Sequence, residues 1–114
     1  MNHSQWKTRR TRQLLGEQVK ESPEMAAFRL EMRYARAFGQ ALYDRRTALG
    51  LSEAEVARRA GMTEEDIECI EGAGTVPTLP LLEKLAVVLE AELDIHVVPG
   101  TDSEPELRFQ APAA

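Results

Sequence analysis

Side chains able to do chemistry crowd into one stretch, Leu51 to Glu71, which reads LSEAEVARRAGMTEEDIECIE. It holds carboxylates at Glu53, Glu55, Glu64, Glu65, Asp66, Glu68 and Glu71, two bases at Arg58 and Arg59, and the single cysteine of the chain, Cys69. A guanidinium can donate to phosphate oxygens, whereas a carboxylate can only accept, for example from cytosine N4. The chemistry open to this stretch is recognition. Reaction chemistry lacks its parts: His3 and His96 lie far apart with no cysteine or carboxylate cluster at ligand spacing, and no phosphate-cradling glycine loop or nucleophile elbow is visible. One cysteine excludes an internal disulfide and a cysteine-rich zinc site. No enzyme, metal or cofactor is expected.

Two short helices must position these groups. Ser52 is a good N-cap and Glu55, three residues on, completes a capping box, so the first helix should start at Glu53. Val56, Ala57 and Ala60 recur on one face, and Gly61 can take the positive φ that ends the helix. Thr63 caps the second helix with Asp66 as a weaker reciprocal partner, and Ile67 and Ile70 give it an inward face. Small Ala57 allows close approach, while Val56, Ala60, Met62, Ile67 and Ile70 fill the angle. That combination is the helix-turn-helix pattern.

Through GLSEAEVARRAGMT, the pair Ile70 and Glu71, and the following VPTLPLLEKLA, residues 38 to 98 resemble the Cro/C1-type (Xre) family of DNA-binding domains. The resemblance implies a mainly α, lambda-repressor-like helix-turn-helix bundle with an N-terminal helical extension and a short C-terminal β-strand or hairpin. It implies double-stranded DNA as partner, contacted by a set drawn from Glu53, Arg58, Arg59, Thr63, Glu64, Glu65, Asp66 and Cys69. It also implies a structural ion pair between Arg46 and Glu71. The helical extension and the ELDIHVVPG segment resemble the HigA group of antitoxins, whose members repress their own operon as dimers and bind a ribonuclease toxin. The reading helix departs from the family pattern, because relatives often carry glutamine or another neutral donor where Glu64 and Glu65 stand. A protein-interaction module that keeps the scaffold without binding DNA is the alternative.

Charge sharpens that departure. The chain has 114 residues and a net charge of -5, but residues 1 to 36 carry +4, residues 37 to 76 carry -4 and residues 77 to 114 carry -5. The reading segment itself, Thr63 to Glu71, has five carboxylates and no base. With phosphates roughly 5 Å away, each repulsion is on the order of 1 kcal/mol in water, and several together rival the ~5 to 8 kcal/mol of non-specific DNA binding. The length suits one domain with appended ends, and no apolar run approaches a signal or membrane segment, so a cytoplasmic protein is expected.

In chain order, residues 1 to 21 are a basic arm in which residues 1 to 12, with Lys7, Arg9, Arg10 and Arg12, read as a solvated tail in preference to a nucleic-acid arm, and Thr11 to Val19 can form a short helix. Residues 22 to 37 read as the helical extension, started by Ser22 as N-cap and Pro23 at the first helical position. Phe28, Met32, Ala35, Phe38, Leu42 and Leu49 form a one-sided stripe, which predicts one long helix or two broken near Gly39. Residues 38 to 92 are the helix-turn-helix domain, closed by a helix capped at Thr78 with Leu79, Leu82, Leu85, Ala86 and Leu89 inward. In residues 93 to 114, Leu93 to Val98 and Leu107 to Gln110 alternate as strands, and the first is expected to help build a homodimer, by pairing with its twin or by packing with the second. His96 should point outward.

Overall fold

The computed structural model describes residues 21–99 and 104–113. The basic arm and the helix expected over Thr11 to Val19 lie outside the described residues. Helix α1 spans Pro23–Ala48 without a break. The Ser22 hydroxyl accepts from the Met25 N–H at 3.0 Å, and Pro23 occupies the first turn, where a missing N–H leaves no bond unmade. At ~1.5 Å per residue the helix is about 39 Å long. Only its second half is used by the bundle: the buried residues are Ala35, Phe38, Gly39, Ala41 and Leu42. Phe28 is 63% and Leu49 37% exposed, so the stripe expected to be continuous is covered only in its middle.

Gly39 does not break α1 but brings it against its neighbour. A Cβ there would lie 2.5 Å from the Ile70 carbonyl oxygen and 2.9 Å from that of Glu71, so two helix backbones touch at this point. Helices α2 (Glu53–Ala60) and α3 (Glu64–Glu71) follow, and α4 (Leu79–Val88) closes the core. The Thr78 hydroxyl accepts from the Leu81 N–H, as its type predicts. Leu82, Leu85 and Leu89 are buried, whereas Leu79 sits at the margin of that face in the first turn and is 74% exposed, which corrects its place in the core. Arg45 reaches across from α1 and donates to the Leu89 and Glu90 carbonyl oxygens, satisfying acceptors that the end of α4 leaves open.

Strands β1 (Glu92–His96) and β2 (Glu106–Gln110) form an antiparallel hairpin in which Leu93 faces Phe109 and Ile95 faces Leu107. A lone hairpin is marginal, and this one is supported by its own chain. Leu107 and Phe109 are buried and join the helical core, and β2 lies against α1. The partner of β1 is therefore β2, while Ile95, Val97 and Val98 remain exposed and His96 points to solvent. Of the residues that periodicity marks as inward, Leu42, Val56, Ala57, Ile67, Ile70, Leu82 and Leu85 are buried. Among the described residues the architecture is mainly α, four helices with a short C-terminal hairpin.

Candidate nucleic-acid interface

The corner between α2 and α3 is held by two capping boxes and one left-handed residue. Ser52 and Glu55 exchange hydrogen bonds, side chain to backbone in both directions, at 3.0 and 2.9 Å. Thr63 and Asp66 do the same at 3.0 Å each. The backbone N–H donated by Ser52 holds the Glu55 carboxyl below its ordinary range, and that of Thr63 does the same to Asp66. Between the boxes Gly61 takes φ 68°, which lets the Met62 N–H close on the Ala57 carbonyl at 2.9 Å. Asp66 is thus a full capping partner despite its shorter side chain.

Arg46 and Glu71 fix the far end of α3. The guanidinium donates through Nε and Nη2 to the two carboxylate oxygens at 2.7 and 2.9 Å, and through Nη1 to the Leu51 carbonyl at 3.0 Å. The two side chains are only 13% and 9% exposed, and the guanidinium carbon lies 5.4 Å from the centre of the Tyr43 ring. One arginine therefore clamps α1, the Leu51 turn and α3 together. Parallel two-point contacts of this kind are the strong form of an ion pair.

The outward side of α3 is acidic. Glu64, Glu65, Asp66, Glu68 and Cys69 are all exposed. The Cys69 sulfur accepts from the Thr75 hydroxyl at 3.4 Å and packs where Gly74 leaves room, since a Cβ at that glycine would come within 2.7 Å of it. Glu53 at the start of α2 meets α3: carboxylate oxygens of Glu53, Glu64 and Glu68 lie within 4.8 Å of one another. Burial raises the Glu53 carboxyl above its ordinary value, helped by its hydrogen bond to Glu71 and by the Glu71 charge, with Arg46 opposing. Oxygen donors at this spacing suit a hard divalent cation. The same trio is also what an acidic helix start beside a capping turn produces.

Arg58 and Arg59 stand exposed in the last turn of α2, where their charge complements the helix dipole and acts on Glu55. Lys84 of α4 acts on Asp66 from the other side. The fold thus brings Glu53 together with α3, spends Thr63 and Asp66 on a cap, and leaves Glu64, Glu65 and Cys69 outward, with Arg58 and Arg59 on the preceding helix. Two positions were missed by reasoning from residue types: Glu68 as the third member of the carboxylate trio, and Gly39 as the contact that seats α3. A glycine inside an otherwise helical stripe was the available signal for the second.

Comparison with protein families matches the helix-turn-helix domain over residues 37–95, more than half of the chain. Comparisons with curated proteins and with solved structures give no significant match.

Proposed function

Because the chain belongs to the helix-turn-helix domain family, we propose that it is a DNA-binding regulator, and that the outward face of α3 with Arg58 and Arg59 meets the duplex. The observation that carries this reading is the division of α3 into a locked side and an open one. Ile67, Ile70 and the Arg46–Glu71 pair hold it rigidly, while Glu64, Glu65, Glu68 and Cys69 meet solvent with no described element over them. The finer reading is a Cro/C1-type regulator acting as a homodimer in the cytoplasm, with reading helices one DNA turn, about 34 Å, apart. The extension ahead of the domain and the strand after it support a HigA-like role: an antitoxin that represses its own operon and binds a toxin protein. No catalytic role is assigned.

Affinity for phosphate must come from Arg58, Arg59 and the bases Lys7, Arg9, Arg10 and Arg12, because the carboxylates of α3 repel the backbone. The acidic trio of Glu53, Glu64 and Glu68 favours a second reading, a protein-interaction module that takes a basic partner on α3. Fluorescence anisotropy separates them. The native chain and the double variant Glu64→Gln/Glu65→Gln are titrated against the chain's own upstream DNA and a random duplex at two salt concentrations. On the DNA reading, log K falls with log salt at about -0.9 per phosphate neutralised, and the variant binds random duplex roughly tenfold tighter. Loss of own-site binding in the variant would show the carboxylates reading cytosine edges. Absence of binding by both proteins to both duplexes would sink the DNA reading and leave the protein-interaction module.

A further inference from the structure

Among the described residues, β1 pairs with a strand on one side only. It packs on β2, which matches it residue for residue, and on α4, which leads into it, while α1 lies against β2. Ile95 and Val97 are 48% and 45% exposed, whereas Leu107 and Phe109 across the hairpin are buried, so the apolar surface still open to water lies on the β1 side. A strand edge offers a row of N–H and C=O groups to another strand, and proteins that avoid such pairing place a lysine, a proline or a bulge there. Glu92–His96 has none of the three.

The order of side chains along β1 selects what pairs with it. In an antiparallel pair, residues directly opposite one another point to the same face. With a two-fold axis at Ile95, a second copy sets Ile95 against its twin, Leu93 against Val97, and Asp94 against His96 at two places. An axis at Asp94 sets carboxylate against carboxylate, one at Leu93 sets Glu92 against Asp94, and one at His96 sets imidazole against imidazole. We propose that the open edge of β1 pairs antiparallel with β1 of a second copy in the register centred on Ile95, giving a four-stranded sheet in the order β2-β1-β1-β2. Within one hairpin Asp94 already faces Arg108 and His96 faces Glu106. Each polar row of the dimer then runs Arg108, Asp94, His96, Glu106, with every donor beside an acceptor. Asp94 and His96 are exposed, and Asp94 accepts from the Gln110 side-chain amide through one oxygen, so its other oxygen can take the imidazole N–H. The pairing deepens the homodimer of the reading above without depending on DNA contact, so failure of the anisotropy experiment leaves it standing.

Stable interfaces cover about 800 Å² per partner, and one strand edge is smaller, so the dimer is expected to dissociate on the order of a hundred micromolar. The test is sedimentation equilibrium of the full chain from about 10 to 1000 µM, with Cys69→Ser to exclude a disulfide. A reversible monomer–dimer equilibrium is expected. Ile95→Lys puts two ammonium groups at the axis and should weaken it roughly tenfold or more, with circular dichroism checking that the chain stays folded. His96→Lys separates this register from any other use of the edge. A lysine blunts a strand edge in general, but here it meets Asp94 of the second copy at two places and should tighten the dimer roughly threefold. Adding Asp94→Asn should cancel that gain. A monomer throughout the range overturns the proposal and the homodimer reading together. A dimer indifferent to Ile95→Lys, or one weakened by His96→Lys, overturns the strand pairing and leaves a homodimer built elsewhere.

Discussion

Helices α2 and α3 are the same length, eight residues each, and both begin with a reciprocal capping box and present apolar side chains to one core. Their ends and their outward faces differ. At the end of α2 the left-handed residue is Gly61 at φ 68°, whereas after α3 it is Ala73 at φ 66°. The outside of α2 carries Arg58 and Arg59, and the outside of α3 carries only acid and a thiol. The comparison teaches that the corner is built by caps, a left-handed turn residue and inward side chains. Surface charge and the chemistry of the stop residue vary on top of it, because neither touches the packing between the helices.

If that separation is right, inward changes should act on stability and outward ones on binding. The largest effect is expected from Ile70→Ala, which empties a site 1% exposed between α1 and α3 and should cost about 2 to 5 kcal/mol in a denaturant titration. A loss under about 0.5 kcal/mol would remove Ile70 from the core. Next comes Glu71→Gln, which leaves the Arg46 guanidinium almost buried with half of its bidentate partner. About 1.5 to 3 kcal/mol is expected, against well under about 1 kcal/mol for Glu21→Gln at the exposed Arg29 pair. Equal costs at the two sites would mean that burial of the clamp contributes nothing.

The two helix ends allow a reciprocal experiment. At Gly61 a Cβ would meet nothing within 4 Å, so Gly61→Ala tests backbone strain alone and should cost about 1 kcal/mol. Ala73→Gly relieves the same strain and should stabilise by about 0.5 to 1 kcal/mol. Thermal melts that gave both substitutions the same sign would break the comparison.

The smallest effect depends on pH. The Glu53 carboxyl is raised by burial and by Glu71, so its charged form is less at ease in the folded chain than in the unfolded one. Stability from this group is present below its ordinary value of 4.5 and is lost as pH rises past its folded value. Glu53→Gln should therefore raise the unfolding midpoint at pH 7 and leave it unchanged near pH 4. Glu55 and Asp66 titrate in the opposite sense: their caps contribute at neutral pH and fade as acid protonates the carboxyls. A Glu53→Gln profile parallel to the native one at all pH values would show that Glu53 is fully solvated.

Much of the corner was legible from local pattern. Ser52, Glu55, Thr63, Asp66 and Gly61 act within three or four residues of themselves, so their types and spacing state the bonds they make. The inward positions were legible for the same reason, since a 3.6-residue period marks a face wherever that face goes. By itself the sequence also determined the sign of the α3 surface, because charge needs no contact to exist. What it could not determine was where each face ends up. The stripe of α1 looks uniform from Phe28 to Leu49, but only Ala35 to Leu42 has other elements against it, and Leu79 shares a period with Leu82 and Leu85 without sharing their burial. Glu53 and Glu68 stand fifteen residues apart, and no spacing rule joins them. Their meeting, the seat of Gly39 on the Ile70 carbonyl, and the turn of the β2 strand into the core of its own chain were decided only when the helices packed. Those contacts depend on how long each neighbour is and at what angle it crosses, and neither is written in any single segment.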